Sequence, residues 1–595
     1  MNIEPFDFPK TNVNVFNQSS HDGFFHGMNA LKSSKKRKFS FMQGANLGQE
    51  RICWVLYGDF AFESLSQVID SLSETSKLLM VTGVTYEESI KPEEHEMELL
   101  EKWVEEEKIE IIFCDDPRKC ATEAAKLIDK LYFDGWKPLL NLELEEIEFA
   151  AIKEFYQYLG EIFNTDKVLD ATKNKNLVTY IENSFLSLPA TLFGHDLEFA
   201  VENFDCRPVL LISAGPSLLK QLPLLAKHQS LFTIVTASAA YPNLKRYGIE
   251  PDYIVVVDPN KKIVWDEKTD VKIIKDLGCD PATSWSEPSQ SFFTTHHPAI
   301  KDLFYHVGYD LSLLMAGGCV ATSAFNVARL MKSNPIIMLG QDLAYTDGKA
   351  RVDGYEYEAK VRASQKKSNT RFNVPGFGGI GMVETDPALL LYKTWFEGQL
   401  EHMSDTLVFN CTEGGADIKG TIPTSFENLC KELEKTPIPR SNFDMPSLNH
   451  VEHFGLFQNG LNKLIQDISD YRDLLSLALK TLKKKNKGVV VFEKLDAINI
   501  SIKETQNHIK FICDSYSGKD IKDTQMKIAR DESPSESKAL EFYSNLYQDA
   551  KSGALEALVF LNDVKSFYQM LSESDDWQND AGVRRFIADK SLNKY

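Results

Sequence analysis

The chain has 595 residues, of which 43% are hydrophobic and 26% charged, so it has ample material for packed cores and falls outside the largely disordered class. At the usual ~100–200 residues per domain, the length predicts roughly three to four units. A formal charge of −20 excludes a general nucleic-acid binder and a protein lying on an anionic membrane, both of which need a basic face.

In chain order, residues 1–45 are polar, mixed and rich in Asn, Ser and Phe, and read as an irregular or docking segment. Their start, MNIEPFDFPKTNVNVF, has no basic stretch leading into an apolar core. No later run approaches the ~20 apolar residues of a membrane span, so a cytoplasmic protein without membrane insertion is expected. The nine cysteines, scattered singly with no Cys-x-x-Cys pair, read as reduced core residues. Lys35-Lys36-Arg37-Lys38 reads as a solvated run.

Residues 46–190 alternate short apolar strands (RICWVLYGDF, KLLMVTGV, KIEIIFCDDP) with helical patterns, including an acidic run from Glu93 to Glu107, and predict a small Rossmann-like α/β domain. Gly58-Asp59 and Asp115-Asp116 sit at strand ends, but no Gly-x-Gly-x-x-Gly accompanies them, so they read as ordinary turns. A second α/β series over 191–440 has strands in VLLISAG, FTIVTAS, YIVVVDPN, SFFTT, PIIMLGQD and TLVFNCTEGG. Over 441–595 the texture turns helical: Phe457, Leu461, Leu464, Ile468, Tyr471 and Leu475 alternate steps of four and three, which places one apolar stripe along a helix. The fold class is therefore α/β multidomain with a C-terminal all-α part.

In open parallel sheets ligands bind beyond the carboxyl ends of the strands. The second series puts Gly215-Pro216-Ser217, Ala237-Ser238, Asp258-Pro259-Asn260, Gly340-Gln341-Asp342 and Thr412-Glu413-Gly414-Gly415 at those ends. Gly-Pro-Ser ends a buried strand and starts a helix, a junction whose N–H groups attract phosphate. MAGGCVATSAFNVARL adds Gly317-Gly318 before a helix, with Thr322 near its start, as a second anion nest. Crowding Asp258, Asp342 and Glu413 at one crevice costs free energy unless they bind something. His296-His297 lie on an extended segment and point to opposite faces, and no metal-binding cluster is evident.

SAGPSL, YIVVVDPN, GGCVATSAFNVARL, PIIMLGQDLAYTDG, VETDPALLLYKTWFEGQ and NCTEGGADIKG, in that order, resemble the motility-associated factor (Maf) family of flagellin glycosyltransferases. The resemblance covers about residues 185–440, with GQDLAYT and TEGGA its most specific elements. It implies a central Rossmann-like domain (GT-A-like and similar to bacterial sialyltransferases) that transfers a nonulosonic acid of the pseudaminic or legionaminic type. The donor is the CMP-activated sugar and the acceptor is Ser or Thr of flagellin before export, for flagellum assembly and motility.

By the same resemblance Gly215, Pro216 and Ser217 contact the CMP phosphate and ribose. Gln341, Asp342 and Tyr345 lie by the phosphate and the sugar carboxylate, and Glu413, Gly414 and Gly415 close the nucleotide pocket. A donor with one phosphate has less need of a metal, and no cofactor is expected. The chain departs from the sialyltransferase pattern at Ala214, Ala237 and Ser238, where asparagines stand, and it lacks the histidine base before VETDPALLLYKTWFE. The base therefore falls among Glu384, Asp342 and Asp258. The GPSL-plus-VDPN pattern also resembles archaeal-type hydroxymethylpterin pyrophosphokinases, which use ATP and magnesium. A non-catalytic flagellin-binding protein is the third reading.

Overall fold

The computed structural model describes residues 14–16, 51–57, 62–82, 94–113, 116–128, 133, 135–139, 152, 155–156, 158–160, 176–204, 207–261, 263, 271–352, 371–440, 445–483, 489–517 and 536–592. Gly58-Asp59, Asp115 and Lys35 to Lys38 lie outside them. Two compact units emerge, residues 1–168 and 169–595.

In the first unit the elements are β1 (Asn14–Phe16), β2 (Ile52–Tyr57), α1 (Phe62–Ser71), β3 (Lys77–Thr82), α2 (Glu94–Glu105), β4 (Ile109–Phe113), α3 (Pro117–Leu127) and β5 (Gly135–Leu139). They form a five-stranded sheet in the order β1-β4-β3-β2-β5, parallel except for β1. Alternate residues of β2 feed opposite faces: Ile52, Trp54 and Leu56 join one core, Cys53, Val55 and Tyr57 the other. The two strands not anticipated are short or at an edge, where the apolar signal is weakest. Asp116 accepts a hydrogen bond from the Lys119 amide at 2.9 Å and starts α3, so this acid serves a helix turn as expected. Cys120 is disulfide-bonded, which corrects the expectation of uniformly reduced cysteines, whereas Cys53, Cys279, Cys319, Cys411, Cys430 and Cys513 are free. Spacing along the chain does not register a bond that depends on Cα atoms coming within about 7 Å.

The second unit runs β6 (His195–Asp196), α4 (Leu197–Glu202), β7 (Val209–Ile212), α5 (Leu218–His228), β8 (Thr233–Ala237), α6 (Tyr241–Arg246), β9 (Tyr253–Val256), β10 (Lys272–Asp276), β11 (Ser291–Thr294), α7 (Pro298–Val307), α8 (Val320–Leu330), β12 (Ile336–Leu339), β13 (Phe372–Pro375), β14 (Met382–Thr385), α9 (Pro387–Leu400), β15 (Val408–Asn410), β16 (Ile422–Pro423) and α10 (Phe426–Leu433). Helices α11 (Phe454–Leu482), α12 (Val489–Glu504), α13 (Asn507–Tyr516), α14 (Glu536–Ser572) and α15 (Ala581–Leu592) follow. Nine strands make one sheet, parallel throughout, in the order β16-β15-β12-β7-β8-β9-β10-β11-β6. Its central strands are buried on both sides, which is why they read as continuous apolar runs. Val209 and Leu211 pack with α8 and α9, while Leu210 and Ile212 pack with α5, α6 and α10. Strand β10, in VKIIKD, escaped notice because Lys275 interrupts the run; its side chain is fully buried and donates to the Ser284 and Ser286 carbonyls.

The helical part is no separate body. Its buried stripe, the six residues from Phe457 to Leu475, packs in one core with Ile181, Phe185, Phe293, Phe304 and Val307. The boundary expected near residue 190 is corrected accordingly: the first unit ends at Val168, and the helical stretch 176–187 belongs to the second core. No helix among the described residues is long and apolar enough to cross a membrane. α13 and α14 approach closely at Gly553, where a Cβ would stand 1.9 Å from the Cys513 carbonyl oxygen. Gly553→Ala is expected to cost about 1–3 kcal/mol through overpacking, seen as a lower urea midpoint with unchanged slope.

Candidate functional site

The strand order reverses between β7 and β12: from β7 the chain proceeds through β8 to β11, and from β12 it proceeds the other way to β15 and β16. That switch point opens a crevice at the carboxyl edge of the sheet. Its floor is a buried carboxylate. Asp342, 1% exposed, accepts from Ser217 Oγ at 2.6 Å, from the Ser217 amide at 3.2 Å and from Thr346 Oγ1 at 2.9 Å. The start of α5 adds its positive dipole end to these donors. Burial still outweighs them and holds the Asp342 carboxyl above its usual range.

The glycines shape this contact. A Cβ on Gly215 would stand 1.9 Å from Asp342 Oδ1, and Gly415, at φ +73°, brings its own Cα within reach of the Asp342 backbone, where a Cβ would meet the Asp342 carbonyl oxygen at 2.2 Å. Both positions admit only glycine. Ala416 donates to the Asp342 carbonyl at 2.7 Å, which ties the TEGGA turn to β12's end.

Several expected roles change. The Gly215-Pro216-Ser217 turn does not present its donors outward, because Ser217 is fully buried and its amide and hydroxyl serve Asp342. Gln341 is an internal tie: its Oε1 accepts from Ser213 Oγ at 2.5 Å and its amide donates to Thr412 Oγ1 at 3.1 Å. Glu413, with left-handed backbone at φ 52°, turns its carboxylate to the Phe426 amide at 2.8 Å and caps α10. Gly414 packs against Ser217, a Cβ there standing 3.3 Å from Ser217 Cβ. Glu384 is exposed on β14, and its carbonyl accepts from the Tyr345 amide at 2.7 Å. Both carboxylate oxygens of Asp342 are thus engaged by donors of the fold, and Glu413 holds the start of α10 through Oε1.

The open wall of the crevice is built from other residues. Ser238, at the end of β8, has its Oγ 3.5 Å from Lys261 Nζ, and Asp258 Oδ1 accepts from the Asn260 amide at 2.9 Å in the turn after β9. Burial and the nearby Arg351 push Lys261 down to about 8, against the pull of Asp258. Val352 donates to the Ala214 carbonyl at 2.9 Å, which pins Arg351 beside the Gly-Pro-Ser turn. The Gly317-Gly318 loop forms the start of α8: the Gly317 amide donates to Thr322 Oγ1 at 2.8 Å, Thr322 Oγ1 donates to the Cys319 carbonyl at 2.6 Å, and the Trp395 ring covers Gly317. Arg351 and Asp386 both act on Tyr392, whose hydroxyl burial pushes up to about 12. Asp386 accepts from Tyr345 Oη at 2.7 Å and caps α9 through the Leu389 amide, while the Arg371 guanidinium lies 3.5 Å over the Tyr345 ring. Lys261, Arg351 and Arg371 were invisible in the sequence because each stands in an ordinary polar stretch and only the fold collects them.

Further along the same edge, His296 Nδ1 lies 2.7 Å from Asp276 Oδ2, which also accepts the His296 amide at 2.8 Å. Tyr180 stacks edge-on against His296 at 4.9 Å, and its burial together with the charges of Asp276 and Asp258 holds its hydroxyl far above the usual range. Tyr180 therefore links the dyad to the Asp258 turn. His297 faces the other way, its ring 5.5 Å from Phe511. A carboxylate at Nδ1 orients the imidazole and favours the tautomer with its proton on that nitrogen.

Residues 183–348 match the family model described as 6-hydroxymethylpterin diphosphokinase MptE-like. No curated protein matches the chain. Among solved structures the chain is similar to the Maf glycosyltransferase from Magnetospirillum magneticum AMB-1, at 13% identity and a TM-score of 0.47 over 96% of each chain.

Asp342→Ala leaves the Ser217 amide, Ser217 Oγ and Thr346 Oγ1 without their acceptor and is expected to cost about 2–4 kcal/mol in urea unfolding. Asp342→Asn retains one acceptor oxygen and falls between that variant and the parent.

Proposed function

We propose that the crevice binds a CMP-activated nonulosonic acid of the pseudaminic or legionaminic type and that the protein transfers the sugar to Ser or Thr of flagellin in the cytoplasm. The observation that carries this reading is the convergence of Lys261, Arg351 and the start of α8 on the switch-point crevice, in a chain whose strand-end motifs resemble the Maf family. Two cations and a helix start suit one phosphate leaving as CMP, without a requirement for metal. Arg371 and Tyr345 suit the sugar carboxylate. His296, held by Asp276, takes the acceptor hydroxyl proton as that oxygen attacks the anomeric carbon and the bond to CMP breaks. This replaces Glu384, Asp342 and Asp258 as the proposed base.

The deciding measurement is the intact mass of flagellin co-expressed with the protein and a donor pathway: additions of one nonulosonic acid each, absent without the protein, are expected. Unmodified flagellin with donor present overturns the reading, and tight flagellin binding without nucleotide binding then favours a non-catalytic role. His296→Ala is expected to lower turnover by ~10²–10⁴-fold with CMP binding retained. CMP affinity is expected to fall as pH rises through about 8, where Lys261 loses its proton, and Lys261→Met should flatten that profile. The second reading, pyrophosphate transfer from ATP to a hydroxymethylpterin, is favoured by the family match over 183–348. Magnesium-dependent AMP release in the presence of the pterin would establish it.

A further inference from the structure

Away from the crevice, α7 and α13 meet across a cluster of three side chains capable of ligation. Asp302 and His306 stand four residues apart on one face of α7, with His306 Nε2 3.8 Å from Asp302 Oδ1. His508 enters from the first turn of α13, its ring stacked on His306 with centroids 3.9 Å apart and planes inclined by 22°. It is 3% exposed, and its Nδ1 has no hydrogen-bond partner. One ligand atom from each of the three residues lies within 4.8 Å of the other two.

We propose that Asp302, His306 and His508 bind one divalent transition-metal ion of the zinc class, which clips the sheet-covering helix α7 to the C-terminal helices. Two imidazoles and a carboxylate are the donor set of such ions, at about 2.0–2.2 Å, with water in the fourth place. Asp302 and His306 are both exposed, which leaves their side chains room to turn toward the buried third. Lys463, a cation facing the cluster from α11, is itself exposed. An exposed pair over a buried ligand also leaves an entry path.

The test uses the full chain, stripped with chelator, equilibrated with zinc chloride and freed of loose metal by gel filtration. About one zinc per chain and a raised melting temperature are expected of the parent. His306→Ala and Asp302→Asn, both at exposed positions that should fold normally, are each expected to weaken binding by about tenfold or more. Because His508→Ala removes a buried ring, it serves only to support them. The other described group with ligating spacing, His450, Glu452 and His453, provides the control: a His450→Ala/His453→Ala double variant keeps its zinc. Zinc absent from the parent, unchanged in His306→Ala, or lost only in the double variant overturns the proposal.

Discussion

A single buried carboxylate organises the carboxyl edge of the second unit. Asp342 has been moved out of water to the point where β7 and β12 diverge, at a desolvation cost of several kcal/mol for an isolated ion. The Ser217 amide, the Ser217 hydroxyl and the Thr346 hydroxyl offset that cost, and they do so only because Gly215 and Gly415 let two other backbone turns approach it. The Gly-Pro-Ser turn, the Gly-Gln-Asp segment and the Thr-Glu-Gly-Gly turn are therefore one object, three stretches of chain closed around one charge. Its effect is to hold the end of the sheet rigid while the neighbouring wall stays open.

In a chain of net charge −20, Arg351 lies near both Lys261 and Cys319 at the start of α8, and Arg371 lies over the Tyr345 ring. A local cationic recess in an acidic molecule focuses small anions while the surface as a whole repels polyanions. Such a recess suits a small anion better than a nucleic acid. The His296–Asp276 dyad lies on the same edge beyond the Asp258 turn, so recess and dyad follow different strand ends of one sheet. Parallel topology provides this arrangement, because every strand delivers its following loop to the same side.

The C-terminal helices complete the molecule by covering β11 and α7 rather than by folding apart. Phe293 and Phe304 bury their rings among residues of α11 to α15, so the core of the helical layer and one end of the sheet share the same apolar surface. The composition shifts near residue 441 and helices run from Phe454 on, but a change of texture does not measure whether two regions have separate cores.

What the sequence by itself determined is local and periodic. Continuous apolar runs make the doubly covered strands β7, β8, β9 and β12, and the four-three spacing from Phe457 to Leu475 makes the buried stripe of α11. Small residues mark the strand ends, because tight turns need them wherever they occur. What only the tertiary structure decided is which polar group faces which. Ser217 could have met a phosphate or Asp342, and Glu413 could have been an acid or a cap; the choice depends on residues more than ten positions away. The cations of the recess, the dyad of His296 with Asp276, and the meeting of His306 with His508 join segments separated by up to two hundred residues. The free energy of such contacts comes from desolvation and charge at short range, and proximity in space is the one quantity that a linear pattern does not carry.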